Sequence, residues 1–228
     1  MTTDLDRAPW ASMTSTLASR ADVRAAAARM HADFGPFICA RDDSDEAISD
    51  LETLVAGHGP AVFLQAAEVR VPTGLRATLW GKGRQMLWDP AARLVKPPAR
   101  PEVVDLGDAD AGEMVALAAL TRPGPYAART HQLGRHLGIR REGRLVAMTG
   151  ERLRTDGWVE VSAVCTHPDW LGHGFATSLV SAATERIADE GLLPILHVFS
   201  TNDRAIAVYE RLGYRTRTEV SATRVEAR

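Results

Sequence analysis

The 228-residue sequence predicts a mixed α/β protein: one sheet with helices packed on it, preceded by a smaller α/β half. Three observations carry that expectation. From residue 102 onward, strand-like and helix-like segments alternate in short succession. Before that, residues 89–101 hold four of the twelve prolines, and Pro97, Pro98 and Pro101 cannot sit in a helix or a central strand. A linker is therefore expected at 97–101, dividing the chain into residues 1–100 and 101–228. Finally, 45% hydrophobic and 25% charged residues are an ordinary globular mixture, so wholesale disorder is excluded.

Composition also narrows function. The net charge of -2 argues against a broad cationic face for nucleic acid. No run of about 18 apolar residues exists, so no membrane-spanning helix is expected. The acids Asp4 and Asp6 stand where a secretory leader would be basic, with no apolar run behind them. Two cysteines, Cys39 and Cys165, are too few for a disulfide framework or a zinc ribbon. A soluble, cytoplasmic protein without a metal is expected.

In chain order, residues 16–30 are rich in alanine and free of proline, which predicts a helix. Residues 44–55 predict a second, closed by Gly57-His58-Gly59-Pro60. Extended runs follow at 61–71, 75–80 and 85–88. In the second half, 102–106 predicts a strand and 108–120 a helix, broken at Arg122-Pro123-Gly124-Pro125. Strands at 138–141 and 144–153 are joined by Glu142-Gly143, and another at 158–165 follows Asp156-Gly157. A helix over 174–190, a strand at 194–199, a helix over 202–212 and a last strand from Tyr214 complete the pattern. Phe34-Gly35-Pro36-Phe37 and the 80–88 region are read as core or interdomain contact.

Two segments carry chemistry. In the first, Val164-Cys165-Thr166 ends a strand and Leu171-Gly172-His173-Gly174-Phe175-Ala176-Thr177 opens a helix. Glycine permits positive φ and close approach of a ligand to the backbone. Aligned N–H groups at a helix start favour a phosphate, although a plain tight turn would use the same glycines. Thr177 replaces the third glycine of a dinucleotide fingerprint, and no Gly-Lys-Ser/Thr of a P-loop is present. In the second segment, His197-Val198-Phe199-Ser200-Thr201-Asn202 leads from a strand into a helix with Ala205, Tyr209 and Gly213-Tyr214.

The ordered pair of segments resembles the GNAT superfamily of acyl-CoA-dependent N-acyltransferases, with its Arg/Gln-x-x-Gly-x-Gly/Ala loop and later Asn-x-x-Ala-x-x-x-Tyr-x-x-x-Gly-Phe/Tyr run. The resemblance spans residues 102–220, roughly half the chain. Residues 166–174 and 194–198 are most similar to the glycine N-acyltransferase-like branch. The sequence departs from the pattern at one place, since Trp170 or Leu171 stands where the family has Arg or Gln.

The resemblance implies a mainly antiparallel sheet with flanking helices and an acetyl-CoA cosubstrate. It places the CoA site at Val164, Cys165, Thr166, residues 171–177, Asn202 and Ala205. It further implies direct attack by a primary amine, of a small molecule or a protein, on the thioester. Tyr209 is then the acid that protonates the thiolate. Glu160, an acid within an apolar strand, is the expected base, with its pKa raised by a dry setting. Strand alternation puts Trp158, Glu160 and Ser162 on one face.

Arg122, Tyr126 and His197 are assigned to the acceptor side, with a buried structural role for His197 left open. His131 and His136 are expected at the surface. Cys165 is read as a small core residue. The first hundred residues are expected to wall the acceptor cleft, as a half resembling a degenerate acyltransferase domain. A CoA-binding sensor or structural module without catalysis is the alternative function.

Overall fold

The computed structural model describes residues 4–66, 70–92 and 102–228, so the proline linker lies outside the described residues. Helix α1, Ala8–Met13, leads into a three-stranded antiparallel sheet of β1 (Ala21–Val23), β2 (Ala27–Met30) and β3 (Ile38–Ala40). The alanine-rich stretch is thus strand rather than helix. Helix propensity separates residues by only about 0.7 kcal/mol each, and here tertiary contacts outweigh it. Ala26, Ala27 and Ala28 are fully buried. The Arg29 guanidinium donates to the carbonyls of His58, Gly59 and Pro60 at 3.1, 2.7 and 2.8 Å, closing the end of the next helix. That helix, α2 (Asp45–His58), starts as expected: the Ser44 hydroxyl accepts from the Ala47 N–H.

Strands β4 (Ala61–Gln65) and β5 (Leu75–Trp88) follow, the latter one continuous strand where two were expected. The second half runs β6 (Val104–Leu106), α3 (Ala111–Thr121), β7 (His136–Arg141), β8 (Arg144–Arg154), β9 (Trp158–Thr166), α4 (Phe175–Asp189), β10 (Leu193–Phe199), α5 (Asp203–Arg211) and β11 (Tyr214–Ala227). These bounds follow the sequence pattern within two or three residues.

Eight strands form one sheet in the order β4-β11-β5-β10-β9-β8-β7-β6. Only β9 and β10 pair parallel; the other neighbours are antiparallel. Strand β5 lies between β10 and β11, so strands from both halves of the chain share one sheet. One face of the sheet packs on α4 and α5 through Met86, Val159, Val161, Leu196 and Tyr214. The other packs on α1 and the β2–β3 region through Leu153, Trp158 and Ile195. Successive residues of β9 therefore serve opposite cores, as strand alternation requires.

Candidate active site

The site begins where two parallel strands part. Strands β9 and β10 stay in register from Trp158 opposite Leu193 to Val161 opposite Leu196, and pairing stops there. Beyond that point β9 follows β8, while β10 follows β5 to the pair Phe199–Gly83. A bulge helps to turn β9 away. Cys165 lies opposite Met148 and Ser162 opposite Gly150, so β9 carries one extra residue. Ala163, at φ 54°, occupies the left-handed region there, which a non-glycine residue adopts only under strain. The gap opens into a cleft of about 640 Å³ that runs through the sheet, lined by Val161–Thr166 of β9 and His197–Phe199 of β10.

On the α4/α5 face, the cleft meets the bend between β9 and α4. Gly172 and Gly174 have φ of 83° and 75°, and a Cβ on either would meet nothing within 4 Å. Backbone shape, not crowding, demands glycine. Gly174 precedes α4 without a side-chain cap. Among the described residues, no protein acceptor takes the N–H groups of residues 172–177, which leaves them and the helix dipole open to an anion. Gly172, Gly174, Phe175, Ala176 and Thr177 all line the cleft. Leu171, where the sequence lacks the family's polar side chain, is 46% exposed.

Helix α5 borders the same opening. Asn202 caps it, its Oδ1 accepting from the Ala205 N–H at 3.1 Å. Tyr209 is buried beneath, its ring edge-on to Tyr214 with centroids 6.1 Å apart. Among the described residues its hydroxyl has no hydrogen-bond partner, and Tyr209 lines the cleft. Burial pushes the phenol above its ordinary pKa, so it stays protonated at neutral pH. Arg204 and Arg211, one face of α5 seven residues apart, line the cleft with no ion partner among the described residues.

On the opposite face, the first half of the chain supplies Phe37, Val62, Leu64, Trp80 and Gly83 to the lining. The 34–37 and 80–88 segments are thus part of the cleft wall, not only core. Beneath them runs a chain of buried polar groups. Glu160, with no exposed surface, accepts from Arg152 Nε at 2.9 Å and Nη2 at 2.6 Å, and from His197 Nδ1 at 2.7 Å. Gln85 Oε1 accepts from Arg217 Nη1 at 2.8 Å. Its Nε2 therefore donates, to the Leu5 carbonyl at 2.8 Å and to His197 Nε2 at 3.1 Å. Arg217 continues to Asp6 at 2.5 Å. His197 thus bridges the two groups, its Nδ1 facing the Glu160 carboxylate and its Nε2 the Gln85 amide.

This chain corrects the expectation for Glu160. Burial pushes its carboxyl up, but Arg152 and His197 outweigh burial and hold it well below the usual carboxylate range. It does not line the cleft, being walled off by Arg152 and His197, which do. Tyr126 is corrected too: it does not line the cleft, and its hydroxyl points to Met114 Sδ at 3.5 Å while its ring packs edge-on against His136. The ring of His173 turns back on the bend, Nδ1 lying 3.1 Å from the Leu171 carbonyl.

His136 and His131, expected at the surface, are buried, the latter's side chain 6% exposed beside Asp108. Cys165 lines the cleft, but burial pushes its thiol up to about 11, far from a nucleophile. Val164, Thr166, Ala205, Arg122 and His197 line the cleft. The residues that sequence reasoning missed are Arg152, Gln85, Ala163 and the cleft-lining pair Arg204 and Arg211. A signal existed for the first, since Glu151-Arg152-Leu153-Arg154 sets charge inside a strand that is otherwise apolar and buried.

The comparisons agree with this geometry. Residues 136–223 match the profile of the FR47-like protein family. A GNAT-family protein from Novosphingobium aromaticivorans is 33% identical, each chain covered over 100% of its length, with a TM-score of 0.89. A GCN5-related N-acetyltransferase from Kribbella flavida shares the fold at 19% identity and a TM-score of 0.69, over 100% of this chain and 96% of that one. A tandem GNAT protein from the clavulanic acid biosynthesis pathway shares it at 15% identity and a TM-score of 0.56, over 88% of this chain and 74% of its own. Among curated proteins the sequence finds no match. With a full-length relative at one-third identity and the parted strands, open bend and capped α5 already in place, this chain belongs to the GNAT family of acetyltransferases.

Proposed function

We propose that this protein is an acetyl-CoA-dependent N-acetyltransferase in which a primary amine attacks the bound thioester directly. The observation that carries the reading is the coincidence, in one cleft, of an uncapped glycine bend and an unpartnered, protonated phenol. In this reading the N–H groups of residues 172–177 hold the pyrophosphate and the pantetheine arm lies along the open edge of β9. Arg204 and Arg211 supply positive charge for the nucleotide phosphates that Leu171 cannot. A backbone N–H at Val164 or Cys165 polarises the thioester carbonyl.

The amine lone pair forms the C–N bond, the C–S bond breaks, and Tyr209 gives its proton to the departing thiolate. The amine's surplus proton leaves to water in the cleft. Glu160 serves indirectly, its charge holding Arg152 and His197 in place.

Tyr209→Phe should lower kcat by about 10²-fold while CoA affinity, measured by titration calorimetry, holds. Unchanged turnover would remove the acid role. CoA binding without thiol release over a broad amine panel would instead support the sensor reading.

A further inference from the structure

The acceptor side of the cleft has a charge pattern that selects among amines. Four arginines, Arg122, Arg152, Arg204 and Arg211, line the cleft as a whole, and among the described residues no Asp or Glu does. A polyamine, an aminoglycoside or a lysine-rich peptide would bring positive charge into a wall that has no carboxylate to meet it. Arg204 and Arg211 belong to α5, the proposed cofactor side. Arg152 is on the other face, among Phe37, Val62, Leu64, Val220 and Ala222.

Arg152 is also the best-prepared of the four. Strand β8 has its own bulge there: Glu151 faces Val161 and Arg154 faces Val159, so one residue is extra. The Leu153 N–H is consequently turned to Glu160 Oε2 at 3.3 Å. The Arg152 side chain is only 10% exposed, gripped along its Nε–Nη2 edge by Glu160 and stacked 4.7 Å above the Phe37 ring. Its Nη1 has no partner among the described residues, nor is it one of the sealed buried atoms that lack one. Glu160 is saturated by Arg152, His197 and the Leu153 N–H, so it does not reach past Arg152 to compete. A rigid, nearly buried guanidinium with one free edge in an apolar pocket suits a planar oxyanion.

We infer that the acceptor is an amino carboxylic acid with an apolar side chain, its carboxylate bound by the Nη1 edge of Arg152. This rests on the acetyltransferase reading above. Arg152 is a specificity-determining residue here, with Glu160, His197 and Gln85 as the groups that position it.

The test uses the full chain, acetyl-CoA and thiol release, with phenylalanine and leucine compared with their methyl esters and with phenethylamine and isopentylamine. The inference predicts that removing or masking the carboxylate lowers kcat/KM by about 10- to 100-fold, mostly through KM. It also predicts that this discrimination disappears in Arg152→Lys and in the paired variant Arg152→Met/Glu160→Met. The paired variant avoids stranding Glu160 as an unpaired buried charge, and its melting temperature reports that it folds. Equal or better turnover of the decarboxylated amines by the unmodified protein overturns the inference while leaving acetyl transfer intact. If nothing is turned over, titration of N-acetylphenylalanine into the CoA-bound protein decides. Binding that is lost in the paired variant supports the carboxylate site, and absence of binding overturns it. In either case the missing turnover counts against the acetyltransferase reading alone.

Discussion

The two faces of the cleft are built on opposite principles. On the α4/α5 face the essential groups are backbone amides and small residues, left unsatisfied at a bend whose glycines meet no neighbour. On the N-terminal face the essential groups are side chains that satisfy one another from Asp6 through Arg217, Gln85, His197 and Glu160 to Arg152. The first face is open, its amide N–H groups left without a protein acceptor among the described residues. The second is closed and leaves a single guanidinium edge free. Varied acceptors with a shared cosubstrate call for that division: a general backbone grip on one side, and a wall of particular side chains on the other.

Opening the closed face has the largest expected effect. Glu160→Ala leaves Arg152 in a buried site without its counter-charge and removes the hydrogen-bond partner of His197, and should cost about 3–5 kcal/mol of stability in urea unfolding. Glu160→Met/Arg152→Met should recover most of that loss. A single variant as stable as the parent would show that the network carries little.

Acid separates the two faces further, and a neighbouring group must be accounted for first. Burial holds His136 at about 4, against 6.5 in the unfolded chain. Between those values the unfolded chain binds a proton that the folded one refuses, so stability falls as pH drops, by ~1.4 kcal/mol per unit. Glu160, depressed when folded, keeps its contribution above the ordinary carboxylate range near pH 4.5 and loses it as pH falls further. Denaturation of His136→Phe across pH 4–7 should flatten the first limb and leave the second. A parent whose stability does not change between pH 6.5 and 4.5 would contradict the assignment.

Smaller effects are expected on the open face. Arg204→Ala/Arg211→Ala should weaken CoA about 3- to 10-fold at low salt, with the difference shrinking as salt rises. An affinity gap that ignores salt would place the phosphates elsewhere.

The two faces were also unequally legible in the sequence. The bend, the Asn202 cap and Tyr209 are local patterns, written within fourteen and thirteen consecutive residues at 164–177 and 202–214. Helix and strand periods of the second half survive because each element packs one face on one core. The closed face joins residues up to 211 apart, from Asp6 to Arg217. No spacing reveals such a contact. Glu160 was noticeable as an acid in an apolar strand, but whether burial or a partner sets its charge depends on Arg152, which a bulge in another strand aims at it. The alanines of β2 mislead for the same reason. Their helix preference is weak, and the contacts that override it come from α2 and α1.

In the proposed complex the cosubstrate's phosphates bind the open amides of residues 172–177 while its arm runs along the freed edge of β9. Hydrogen exchange of the full chain with and without CoA reads this directly. Fast exchange is expected at 172–177 in the free protein, with strong protection there and at 162–166 when CoA is bound. Protection confined to other segments, or amides at 172–177 already slow without ligand, would contradict it.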